Sequence, residues 1–144
     1  MALVRLAVEG RVKDKIILNF ISEYQKRLSP YFKLELAELG EGGRYFEKLS
    51  KQQAVSEIFI AMDAGGKKFT SEGFAEWFNT KRSLSKNITF VIGEATGLSK
   101  QARETVSEFI SLSDMTFSYK LSLMVMAEQI YRAVTIITGH PYHK

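Results

Sequence analysis

Two rhythms of apolar and polar residues alternate along the chain. Ala2–Val8 reads as a first strand, closed by Glu9-Gly10. Ile16, Ile17, Phe20, Ile21, Tyr24 and Leu28 then recur every three or four residues. This predicts a helix over Lys13–Leu28 with one apolar stripe, stopped by Ser29-Pro30. Phe32–Leu39 alternates Phe32, Leu34 and Leu36 with Lys33 and Glu35, the pattern of a half-exposed strand near a sheet edge. Gly40–Gly43 reads as a loop and Phe46–Val55 as a short helix. Ile58–Met62 is an uncharged third strand, and Asp63–Lys68 after it reads as a mobile turn. Thr70 or Ser71 opens a helix to Arg82, with Phe74, Trp77 and Phe78 facing inward.

Ile88–Ile92 carries no charge and is rich in β-branched and aromatic side chains, as in a strand buried on both faces of a parallel sheet. Gly93 ends it, Gly97 follows, and Ser99 can cap a helix to Val106. Phe109–Leu112 is a brief fifth strand, Ser113–Phe117 a loop, and Leu121–Thr138 the most apolar helix. Strands alternating with helices predict an α/β sandwich with a mostly parallel sheet, one domain over residues 1–144. The last helix is apolar on more than one face, so a second copy of the chain is expected to cover it, making a homodimer. Ligands of such sheets sit beyond the carboxyl ends of the strands, which draws attention to the loop after Ile92.

Composition changes this picture only by exclusion. A chain of 144 residues without cysteine has no disulfide, thiolate metal site or cysteine nucleophile. A net charge of +4 permits an anionic partner such as RNA without requiring one. No continuous apolar run approaches the ~20 residues that span a bilayer. The start, MALVRLAVEG, lacks the pattern of a signal peptide, so a cytoplasmic location is expected.

Candidate chemistry clusters late in the chain. Glu128 and Arg132 are spaced i, i+4, which suits an ion pair or an arginine held toward a phosphate. His140 and His143 stand on a chain end with Tyr142 between them; Pro141 prevents a regular helical pair and no third ligand is evident, so no metal is expected. Phe117, Tyr119, Tyr131 and Tyr142 are either core or base-stacking residues, and Lys67, Lys68 and Lys120 are candidate phosphate contacts.

The order of the motifs adds what spacing does not. FVIGEATGLSK at Phe90–Lys100, ISLSDMTF at Ile110–Phe117, AEQIYRA at Ala127–Ala133 and GHPYHK at Gly139–Lys144 together resemble the bacterial large-subunit ribosomal RNA methyltransferase H family. That family lies in the SPOUT superfamily of α/β-knot methyltransferases. YQKRLSPY at Tyr24–Tyr31 and SEGFA at Ser71–Ala75 extend the likeness over essentially the whole chain. The resemblance implies a C-terminal trefoil knot, a homodimer, and S-adenosylmethionine held in the knotted loops. It implies methylation of N3 of a pseudouridine in 23S rRNA on the assembled ribosome. By residue, it places the cofactor at Met62, Gly93 and the run Leu112, Ser113, Asp114, Met115, Thr116 and Phe117. It orders the tail at the subunit boundary, with Arg132 anchoring phosphate or substrate, His143 or His140 accepting a proton, and Tyr142 stacking on or orienting the base.

The chain departs from the family pattern in named places. Glu94 stands where a second glycine is usual, Ser118-Tyr119 where Pro-His is usual, and Leu123 where an arginine is usual; the Gly40–Arg44 region is also short. The alternative reading is an RNA- or ribosome-binding protein on the same scaffold that has lost turnover.

Overall fold

The structure is a computed structural model describing residues 3–94 and 96–144, so Ala2 of the first strand and Ala95 of the glycine loop lie outside the described residues. Five parallel strands form one sheet in the order β2-β1-β4-β3-β5: β1 Val4–Val8, β2 Leu34–Glu38, β3 Glu57–Lys68, β4 Asn87–Ile92 and β5 Glu108–Ser111. The helices are α1 Lys15–Leu28, α2 Arg44–Glu47, α3 Lys51–Ser56, α4 Ser71–Arg82, α5 Lys100–Thr105 and α6 Tyr119–Thr138. The expected α/β architecture with a mostly parallel sheet is what is found, and β2 is an edge strand.

Helices cover the two faces unequally. On one face α1, α4 and α6 bury Ile17, Ile21, Phe74, Phe78, Met126 and Ile130 against Leu6, Ile60, Ile88 and Phe90. On the other, Phe46 of α2 and Ala102 of α5 close a smaller core over Phe59, Ala61 and Val91. Val91 and Ala61 are fully buried between these layers, as the uncharged runs of β3 and β4 require.

Three elements differ from the sequence expectation. The helix expected over Phe46–Val55 is two short helices, because Ser50 makes a capping box: its Oγ accepts from Gln53 N–H at 3.1 Å while Gln53 Oε1 accepts from Ser50 N–H at 3.1 Å. The expected mobile turn Asp63–Lys68 is a continuation of β3. Met62 and Lys67 both pair with Ile110, so the intervening residues bulge out and the strand rejoins β5. Gly66 makes that return possible, since a Cβ there would lie 2.6 Å from the Ile110 backbone. Third, α6 is, by length and composition, apolar enough to cross a membrane, although Glu128 and Arg132 interrupt any continuous run. Its Leu123, Met126, Ala127, Ile130, Ala133 and Val134 are at most 1% exposed inside this fold, which makes it a core helix.

Burial of α6 is one-sided. Leu121 is 41% exposed, and Met124 and Val125, one turn on along the same stripe, are only half-buried.

Candidate functional site

The strands β3, β4 and β5 end side by side, and the segments leaving them enclose a cavity of about 670 Å³. That size suits a small-molecule ligand. Its floor is Met62, Ile92 and Gly93; its walls are Leu98, Arg103 and the run Ser111–Phe117 without Asp114; Tyr119, Lys120 and Ser122 close one end. Met62, Gly93, Leu112, Ser113, Met115, Thr116 and Phe117, named from the sequence, therefore meet here. Asp114 does not line the cavity: its side chain is 84% exposed and pairs with Lys68 outside it.

The loops around the cavity are tight because they fold on their own backbone. The chain after β4 turns back through Gly97, with φ of +87°, and Gly97 N–H donates to Glu94 C=O at 2.8 Å. A Cβ on Gly93 would stand 2.6 Å from Gly97 C and from Leu98 N, so only glycine is accommodated at the end of β4. After β5, Ser111 Oγ donates to Ser113 C=O at 2.9 Å and Met115 N–H donates to Ser113 Oγ at 3.0 Å, shaping the opposite wall.

One anchor was not foreseen from the sequence. Glu9, 3% exposed at the end of β1, accepts from Ser99 N–H at 2.8 Å and from Ser99 Oγ at 2.5 Å. Ser99 Oγ also accepts from Ala102 N–H at 3.0 Å, capping α5. The buried carboxylate thus ties the far end of the loop to the sheet. A lone acidic residue closing a strand gave no periodic signal of this partner. Asp63, also missed, accepts from Arg103 at 2.8 Å, and that hydrogen bond holds its carboxyl below the ordinary carboxylate value.

Arg132, His140, Tyr142 and His143 do not line this cavity. Arg132, Tyr142 and His143 form a second cluster with Glu128 and Glu72. Arg132 Nη2 donates to Glu128 Oε2 at 2.8 Å, and Tyr142 Oη donates to the same oxygen at 2.7 Å. Arg132 Nη1 lies 2.9 Å from His143 Nδ1, whose other nitrogen lies 2.7 Å from Glu72 Oε1. A guanidinium only donates, so Nδ1 is the acceptor and Nε2 carries the hydrogen given to Glu72. In that arrangement both ring nitrogens of His143 are engaged, Nδ1 by Arg132 and Nε2 by Glu72. Burial, then the Tyr24 hydroxyl and the Glu128 carboxylate, hold the Tyr142 phenol above its ordinary value, so it stays a donor. The tail is packed: Tyr142 lies edge-on to Tyr131 at 4.8 Å between centroids, and Arg132 lies 5.0 Å over the Tyr142 ring. His140 is exposed, with its backbone N–H bonded to Thr135 C=O at 2.9 Å. Among the described residues no group of three or more His, Asp or Glu is placed to hold a metal ion.

The class of protein with this parallel sheet and this cavity is shown by comparison with known proteins. The family model described as "Predicted SPOUT methyltransferase" matches residues 2–143. The chain is 36% identical over 152 residues to a ribosomal RNA large subunit methyltransferase H of Gemmatimonas aurantiaca, covering 98% of this chain and 99% of that one. It is 34% identical over 154 residues to the protein of that name from Caldicellulosiruptor bescii, covering 99% and 100%. This chain belongs to the SPOUT methyltransferases and, among them, to the ribosomal RNA large subunit methyltransferase H family. Solved structures share the fold: a probable methyltransferase of Bordetella pertussis has a TM-score of 0.54 at 12% identity, covering 92% of this chain and 96% of that one. The methyltransferase AviRb of Streptomyces viridochromogenes, in complex with AdoMet, has a TM-score of 0.52 at 11% identity, covering 95% of this chain; the match spans 58% of AviRb.

Proposed function

We propose that this chain is an S-adenosylmethionine-dependent ribosomal RNA methyltransferase, acting on N3 of a pseudouridine in 23S rRNA within the assembled ribosome. The observation that carries the reading is the cavity beyond β3, β4 and β5, built partly on glycine backbone at positions where the resemblance leads us to expect the methyl donor. The residues fit that donor. Gly97, where an added Cβ would meet nothing within 4 Å, leaves a bare main-chain edge for a flat base, Met62, Leu98, Leu112 and Phe117 offer apolar surface, and Glu94 offers negative charge to a cation.

When bound, S-adenosylmethionine supplies an electrophilic methyl group on a cationic sulfur. The chain's own residues then have three tasks. The loops 93–98 and 111–117 hold the donor and exclude water. Arg132, fixed by Glu128, presents its guanidinium to RNA phosphate or to the developing negative charge on the target base. His143 or His140 accepts the proton lost from N3; for His143 this requires its Nδ1 contact with Arg132 to open. Tyr142, kept protonated, orients the base rather than accepting its proton.

The protein works as a homodimer in the cytoplasm, with the tail cluster of one protomer completing the cavity of the other. Two observations support this: within one chain the cavity and the cluster are separate, and along α6 Leu121 is exposed while Met124 and Val125 are only half-buried. In this reading α6 threads a trefoil knot, consistent with its leaving the cavity beyond β5 and packing under β1 and β4. The test is transfer of labelled methyl to ribosomes from a strain lacking the gene, with nucleoside mass spectrometry of the rRNA. Loss of N3-methylpseudouridine in that strain, restored by the purified protein, is the expected result; an unchanged signal overturns the substrate assignment.

A further inference from the structure

Four charged residues among those described line this cavity: Asp63 and Arg103, paired with each other, Lys120 at one end, and Glu94 beside the glycine loop. Glu94 is half-buried and has no hydrogen-bond or ion-pair partner for its side chain among the described residues. The other carboxylates nearby are engaged: Asp63 with Arg103, Glu9 with Ser99, Asp114 with Lys68 outside. Its backbone is pinned by the Gly97 N–H, and its side chain is laid across Gly10, where an added Cβ would stand 2.6 Å from Oε2 and 3.3 Å from Glu94 Cβ. Gly10 thus leaves the space that the Glu94 side chain occupies.

An unpaired carboxylate on the wall of a partly desolvated cavity favours a cationic occupant, because Coulomb interactions weaken less there than in bulk water. Methyl transfer changes the charge of the occupant: the donor is a sulfonium of net charge +1, and the product is a neutral thioether. We propose that Glu94 makes the pocket charge-selective, holding the methyl donor in preference to the demethylated product and so easing product release. This rests on the donor-site reading above.

The test is titration calorimetry of S-adenosylmethionine and S-adenosylhomocysteine against the intact protein, Glu94→Gln and Gly10→Ala. Glu94→Gln keeps the shape and removes the charge; it is expected to weaken the donor about tenfold and the product less than twofold. Gly10→Ala keeps the charge and displaces it, and is expected to shift the donor-to-product ratio in the same direction. In the Glu94→Gln background the same change is expected to leave the ratio unmoved. Equal weakening of both ligands by Glu94→Gln, or no weakening of either, overturns the proposal while leaving the donor site standing. A folded wild-type protein that binds neither ligand overturns the donor-site reading and the proposal together.

Discussion

Single residues decide whether the cavity exists. Gly93→Ala places a methyl 2.6 Å from main-chain atoms that lack room to move. We expect it to cost about 1–3 kcal/mol in urea denaturation, as overpacking does, and to weaken donor binding in calorimetry more than about tenfold. We propose Arg132 for the other half of the site. Arg132→Ala is expected to lower kcat about 100-fold, as loss of one charge-stabilising group does, while leaving the donor Kd within about twofold; a large change in Kd would place Arg132 at the donor instead. Asp63 offers a test with a sign. Its carboxylate value is lowered in the fold by Arg103, so the pair stabilises fully above the ordinary value and the benefit is lost as pH falls on through the lowered one. Arg103 is about half exposed, so Asp63→Asn should cost less than ~1 kcal/mol at pH 7 and less still at pH 3, read by urea melts at the two values. Residue by residue, Met62 and Gly93 were in view through the family likeness, and the structure brings both to the cavity. Glu9 was not, because nothing in a lone acidic residue reveals that its partner is Ser99, ninety positions away.

At the level of elements, the strands and long helices follow from periodicity because each buries its apolar positions against a neighbour in the same sheet. The errors fell where local chemistry overrides pattern. Ser50 ends one helix and begins another, and Gly66 turns an apparent loop back into a strand against Ile110. The segments Gly93–Leu98 and Leu112–Phe117 show no period, so their convergence was legible only through the family likeness. α5 is short, held by the buried Ala102 and by the Glu9–Ser99 contact at its start. Ser99→Ala removes both the cap and one partner of a buried carboxylate. A loss of about 1–3 kcal/mol is expected, with faster hydrogen exchange confined to residues 96–106 read by mass spectrometry.

For the whole molecule, the distribution of apolar surface and the division of the site point the same way. The partly exposed face of α6 and the proposed dimer predict that Leu121→Glu combined with Val125→Glu yields a monomer of 16.3 kDa in sedimentation, with the wild type expected at twice that mass.

The separation of the cavity from the Glu128–Arg132–Tyr142–His143 cluster within one chain has a genetic corollary. If the tail cluster of one protomer completes the cavity of its partner, as proposed, two impaired variants, Gly93→Ala and Arg132→Ala, should rescue each other when unfolded and reassembled as an equal mixture and assayed at low donor concentration. Each hybrid pair then carries one undamaged half from either parent at a single site, and activity should return to about a quarter of normal. A chain that worked alone would give back nothing.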